Sequence, residues 1–120
     1  MSNYVVDASV SVKWFLPEIY SEAATRLQNP TYNLHVPAFS LLEFANILGK
    51  KVRRGELSKE DSETVLDVFQ ALPLQWYPDK DLLPVSFEIA HLTQRSLYDC
   101  IYLALAIAVD GQFATADQKF

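Results

Sequence analysis

Four carboxylates stand where solubility alone does not call for one. Asp7 closes the β-branched run NYVVD, and Glu43 interrupts the apolar stretch PAFSLLEFANIL. Asp99 opens SLYDCIYLALAIA, in which every residue from Cys100 to Val109 is apolar or aromatic, and Asp117 follows QFATA. Gathered in one cleft, four carboxylates repel and raise one another's pKa values. A bound divalent cation removes that conflict. The ligands on offer are oxygen only, and no His or Cys pair has zinc spacing, so the set favours Mg²⁺ or Mn²⁺. Asn46 and Lys50, at i+3 and i+7 from Glu43, complete one polar stripe on its helix.

The elements that must position these acids follow from hydrophobic patterning. Residues 4–6 and 34–36 read as strands, as do LQWYP and QFATA. Helical signals cover the stretch after Asp7 as far as Pro17, then 21–27, 40–54, the segment after Ser58, 84–94 and 99–109. Gly55 and Gly111 serve as helix stops, and Ser58 with Asp61 as a start. Strands alternating with helices predict an α/β domain with a parallel sheet flanked by helices on both faces. In such a sheet, helix N-termini and strand carboxyl ends share one edge, and ligands bind along it. By this topology Asp7, Glu43, Asp99 and Asp117 all fall on that edge.

Each acid also has an ordinary reading. Ser96 and Asp99 match a capping box, and an acid suits a helix start. Glu43 is expected in the first turn of its helix, where the dipole favours an acid. Asp7 and Asp117 suit turns. The ordinary readings do not explain why the acids share one edge.

The chain has 120 residues, 50% hydrophobic and 21% charged, and reads as one domain over 1–120. No basic leader is seen, the longest apolar run is too short to span a bilayer, and one cysteine excludes an intrachain disulfide. These features lead us to expect a cytoplasmic protein with no membrane partner. The net charge of −5 argues against a general nucleic-acid binder. An acidic cluster that binds cations would lower the sum without repelling a phosphate once loaded. Lys50, Lys51, Arg53 and Arg54 are the candidates for holding an RNA backbone, although a basic helix end also complements the dipole. His35 and His91 read as structural, and Trp14, Phe15, Trp76 and Tyr77 as core or interface residues.

The segments VVDASV, PAFSLLEFANIL, LYDCIYLALA and ATADQKF come in the order and at the distances of PIN domains, and the whole chain resembles the VapC-type toxins of prokaryotic toxin–antitoxin pairs. The resemblance implies a metal-dependent endoribonuclease of the PIN fold, with Asp7, Glu43, Asp99 and Asp117 as catalytic metal ligands. Ser9 and Thr115 match the small hydroxyl residues that support the site. It further implies Mg²⁺ (or Mn²⁺) as cofactor and products with a 5′-phosphate and a 3′-hydroxyl. The partners implied are an RNA substrate, a small antitoxin and a second copy in a homodimer. Exposed apolar residues on the helices of 10–27 and 40–72 are expected to make the protein contacts. Relatives usually continue past the TADQKF region, so the domain is expected to lack the usual C-terminal strand.

The alternative is a catalytically silent PIN-like module that works by binding a protein; the complete quartet speaks against it. A different Mg²⁺-dependent phosphate enzyme on a doubly wound sheet has no support, because the first strand carries no DxD and no Gly-rich phosphate loop follows.

Overall fold

The short β-branched segments pair as parallel strands in the computed structural model, which describes residues 2–16, 25–26 and 28–116. The strands are β1 (Ser2–Val6), β2 (Tyr32–Pro37), β3 (Gln75–Tyr77) and β4 (Gln112–Ala114), in the order β3-β2-β1-β4. Tyr4 lies beside Leu34 and Gln112, and His35 beside Gln75, with every pairing parallel. The helices are α1 (Ala8–Ser11), α2 (Phe39–Arg53), α3 (Lys59–Ala71), α4 (Asp79–Thr93) and α5 (Leu97–Val109), with a 3₁₀ turn at Val12–Trp14. The predicted helix at 21–27 lies almost wholly outside the described residues, as does Pro17.

Alternation along β1 sends neighbouring side chains to opposite faces of the sheet. Val5 packs with Leu82 of α4 and with Ile101, Tyr102 and Leu105 of α5. Val6 packs on the other face with Val10 and Val36. On that side Ala8, Val12, Phe44, Leu48 and Phe69 join α1, α2 and α3, with the rings of Phe44 and Phe69 stacked 3.9 Å apart. The sheet is thus parallel, with helices on both faces, as the alternation predicts. Phe15 and Trp76 pack edge-on against Phe44 and Phe69, which makes them packing residues.

Several boundaries differ from the sequence reading. The helix expected at 84–94 begins at Asp79, with Pro84 inside it. Asp79 and Asp81 in the first turn complement the dipole, and packing of Leu82 and Ser86 against α5 outweighs the proline's missing donor. Gly55 does follow α2 at φ +73°, with Gly55 N–H donating to Val52 O and Glu56 N–H to Lys51 O, a Schellman pattern. At the end of α5 the left-handed residue is Asp110, not Gly111. Gly111 is needed for a different reason: a Cβ there would meet the Asn3 carbonyl oxygen at 2.9 Å. The uniformly apolar α5 is not buried all round either. Its first half is in the core, while Ile107 is 66% exposed.

Candidate active site

The strand order places a topological switch point between β1 and β4. The chain leaves β1 toward β2 on one side, and β4 lies on the other. Crevices outside the carboxyl ends of such strands are the usual ligand sites of open α/β sheets. Asp7 is the first residue past β1, and Thr115 the first past β4.

Asp7 is 6% exposed and serves as the N-cap of α1, with an extended backbone. Its Oδ1 accepts from Val10 N–H at 3.2 Å and from the Ser9 hydroxyl at 2.5 Å. Its Oδ2 accepts from the Thr115 hydroxyl. Ser9 Oγ in turn accepts from Ala116 N–H at 3.0 Å, so two hydroxyls fasten the end of β4 to the carboxylate. Burial pushes the Asp7 carboxyl above its ordinary value, and the bonds from Ser9, Thr115 and Val10 oppose that shift only in part. All these partners are neutral.

Glu43 enters the same edge from α2. It lies in the second turn of that helix, not the first, because α2 starts at Phe39. The dipole argument for an acid therefore does not reach it, since the effect fades within the first turn. The start of α2 is fixed from afar: Ala38 offers no capping side chain, and the Asp79 carboxylate of α4 accepts from Phe39 N–H at 2.9 Å. The Glu43 carboxylate accepts a hydrogen bond from the hydroxyl of Tyr102, in the second turn of α5. Burial, the charge of Glu43 and the bond to it drive the Tyr102 phenol far above its ordinary pKa, with a further contribution from the Asp7 charge. Both carboxylates thus act on one phenol. Asn46, one turn beyond Glu43, is exposed.

Asp99 lies in the first turn of α5, one turn before Tyr102 and on the same face. Its backbone N–H donates to Ser96 Oγ at 3.2 Å, and Ser96 is the N-cap. Among the described residues, the Asp99 carboxylate itself accepts no hydrogen bond. The capping reading therefore belongs to the serine. Asp117 lies outside the described residues.

Among the described residues no three His, Cys, Asp or Glu side chains lie close enough to share a metal ion. The chemistry of the donors nonetheless fits a hard cation: the set is all oxygen, and Asp7 is a buried carboxylate without a cationic partner among the described residues. The basic group is not gathered with the acids. Lys50, Lys51 and Arg53 occupy the last turn of α2 and Arg54 its C-cap. Even Lys50 is about 10 Å along the helix axis from Glu43. His35 is buried and bonded on both ring nitrogens, to Tyr77 Oη at 3.0 Å and Asn3 Oδ1 at 3.1 Å, a structural arrangement. His91 is exposed.

Tyr102 was not singled out from the sequence. The signal was present: a phenol inside an apolar helix must find a polar partner when buried, and i+3 puts it on the face of Asp99. Half of 10–27, where exposed apolar side chains are expected, lies outside the described residues. Within 40–72 the large ones are Leu42 and Val68, whereas α4 shows Leu83, Val85, Phe87 and Leu92. One flank of α4 packs on α5, and among the described residues nothing covers these others.

The family model for the PIN domain matches residues 4–120. The chain belongs to the PIN domain family. Ribonuclease VapC3 of Pyrobaculum aerophilum is 33% identical over 119 residues, covering 96% of this chain and 89% of that protein. The structure of Mycobacterium tuberculosis VapC20, described as a sarcin-ricin loop cleaving toxin, matches with a TM-score of 0.72 at 16% identity, covering 96% of this chain and 90% of that one. VapBC2 of Rickettsia felis, solved bound to a DNA fragment from its promoter, matches with a TM-score of 0.69 at 17% identity, covering 98% and 89%.

Proposed function

We propose that the chain is a Mg²⁺- or Mn²⁺-dependent endoribonuclease acting as the toxin of a toxin–antitoxin pair. The observation that carries this reading is Asp7, a buried carboxylate at the switch point held, among the described residues, by neutral donors. Relatives named VapC ribonucleases support the same conclusion.

Asp7, Glu43 and Asp99 would hold the ion, at least one of them through water since the three are not close enough to share it directly, and Asp117 would hold a second ion or orient the attacking water. When bound, the ion supplies the positive charge that makes water nucleophilic at neutral pH and stabilises the leaving oxygen. The protein's own residues do the rest. Ser9 and Thr115 favour the charged form of Asp7 against its burial, and aim it, by donating to both its oxygens. Tyr102 holds Glu43. Asp99 is free of capping duty because Ser96 carries it. Lys50, Lys51, Arg53 and Arg54 would hold the RNA backbone beyond the cleft.

The partners in this reading are RNA, a small antitoxin and a second copy of the chain, with the exposed apolar residues of α4 available for protein contact. A cytoplasmic setting suits these partners, and no helix among the described residues is long and apolar enough to cross a membrane.

The test is cleavage of a mixed RNA substrate by the purified chain with Mg²⁺ and with EDTA, beside Asp7→Asn. Cleavage by wild type with Mg²⁺ alone, lost in the variant, is the expected result. Equal cleavage in EDTA, or by Asp7→Asn, would overturn the proposal.

A further inference from the structure

Tyr102 is the one polar side chain that α5 carries into the core. It is 2% exposed, and its ring stacks on Phe113 of the strand segment after α5, with centroids 5.8 Å apart. Its hydroxyl donates to Glu43 Oε1, and Ser40 is fully buried on the same helix as Glu43. A buried phenol needs some acceptor, so Glu43 could in principle be there for the sake of Tyr102. Position argues for the converse. Glu43 sits on an otherwise apolar part of α2, away from the first turn, and a neutral acceptor would satisfy a phenol at a smaller desolvation cost than a carboxylate.

We infer that Tyr102 is a positioning residue: its hydroxyl fixes the Glu43 carboxylate at the edge where Asp7 ends β1, so that Glu43 is oriented before a cation arrives. The inference rests on the metal-dependent reading above. The physical ground is preorganisation. A glutamate has several rotatable bonds, and a free carboxylate loses their freedom when it ligates. A donor already bonded to one oxygen lowers that cost. Carboxylate ligands are in turn commonly hydrogen-bonded, and loss of such a support typically costs about 10- to 100-fold in metal affinity or activity.

The experiment compares wild type, Tyr102→Phe, Glu43→Gln and the double variant. Mn²⁺ affinity is measured by calorimetry, and RNA cleavage across a Mn²⁺ titration. Tyr102→Phe keeps the ring and its stacking. It is expected to bind Mn²⁺ at least about 10-fold more weakly, to recover most of its cleavage rate at high Mn²⁺, and to keep the wild-type KM for RNA. In the Glu43→Gln background the same change should have no further effect on affinity, because the hydroxyl acts through the carboxylate. Affinity within twofold of wild type in Tyr102→Phe, or an equal loss in both backgrounds, overturns the inference while leaving the nuclease reading intact. A wild type that binds no Mn²⁺ and cleaves no RNA overturns the nuclease reading itself, and this inference with it. Should Tyr102→Phe fail to fold, ultraviolet difference spectra of the intact protein decide. Adding Mg²⁺ should shift the tyrosine band in wild type and not in Glu43→Gln. An unshifted wild-type band at saturating Mg²⁺ overturns the inference.

Discussion

Replacing Asp7 by asparagine should stabilise the metal-free protein while abolishing its response to metal. The carboxylate accepts three hydrogen bonds, from Val10 N–H and from the hydroxyls of Ser9 and Thr115. Asparagine can keep the first two on its amide oxygen and turn its NH₂ toward Thr115, whose hydroxyl then accepts. The number of bonds is preserved, but each loses its ionic component, about 1 kcal/mol apiece and about 3 in all. Against this stands the cost of burying a charge, several kcal/mol per ion. Burial is the largest influence on the Asp7 carboxyl and its net effect favours the neutral form, so the second quantity wins. We expect a net gain of about 1–2 kcal/mol, or roughly 3–10 °C in melting temperature for a domain of this size. The sign can be checked by pH. A carboxyl raised above 3.8 in the fold contributes stability that is fully present below that value and lost as pH rises through the folded pKa. The gap between variant and wild type should therefore open toward pH 7 and close on acidification. The assay is calorimetric melting in EDTA and across a Mg²⁺ titration. Wild type should gain about 1.4 kcal/mol for each tenfold excess of metal over Kd, and the variant nothing. A variant that melts below wild type in EDTA at pH 7 would refute the claim that this carboxylate is held at a net cost.

Three further outcomes follow from the same geometry. Asp99→Asn should lower the metal-free stability by no more than the helix-dipole contribution, about 0.3–1 kcal/mol, yet lose Mg²⁺-dependent stabilisation and cleavage; Ser96→Ala should cost about 1 kcal/mol and keep both. A variant Asp99→Asn that still responds to Mg²⁺ would remove Asp99 from the ligand set. His35 is held below its ordinary 6.5 by burial, so the stability it contributes is present above 6.5 and lost as pH falls through the folded value. Urea midpoints from pH 7.5 down to 5 should fall more steeply in wild type than in His35→Gln, and parallel slopes would count against this. Finally, Lys50→Ala with Arg53→Ala should weaken RNA binding and flatten its salt dependence by about 0.7 per lost phosphate contact; an unchanged slope would show that the basic end of α2 is only a helix terminus.

The fold was legible because few arrangements satisfy alternating strands and helices in a single short chain. NYVVD and NLHVP are too short and too apolar for anything but central parallel strands, and each leads into a helix. What failed were boundaries decided by distant contacts. The N-cap of α2 is Ala38, which has no capping side chain, and the Phe39 N–H bonds instead to Asp79, forty residues on. The helix starts at Phe39, one residue before the start read from the sequence, and Glu43 falls in its second turn. Pro84 reads as a helix start, yet the helix runs through it, since packing of α4 on α5 is invisible to local propensity.

The same distinction explains the acids. The expectation that Asp7, Glu43 and Asp99 share an edge came from topology, since strand ends and helix starts coincide in a parallel sheet. Which of them also had a structural duty did not follow, because that depends on individual hydrogen bonds. Asp99 looked like half of a capping box, but the serine caps and the carboxylate does not reach back. Glu43 looked like a dipole partner, but it stands too deep in its helix for that. Asp7 does cap, yet α1 has four residues, and a neutral Ser, Thr or Asn would cap it as well without burying a charge. Each local explanation that could have made an acid ordinary is thus either performed by another residue or achievable without charge. Asp7, the buried one of the three, is then a charge without structural need, which is what a cation site demands before the cation binds. The same reasoning leads to Tyr102, whose hydroxyl spends its only proton on one of these acids.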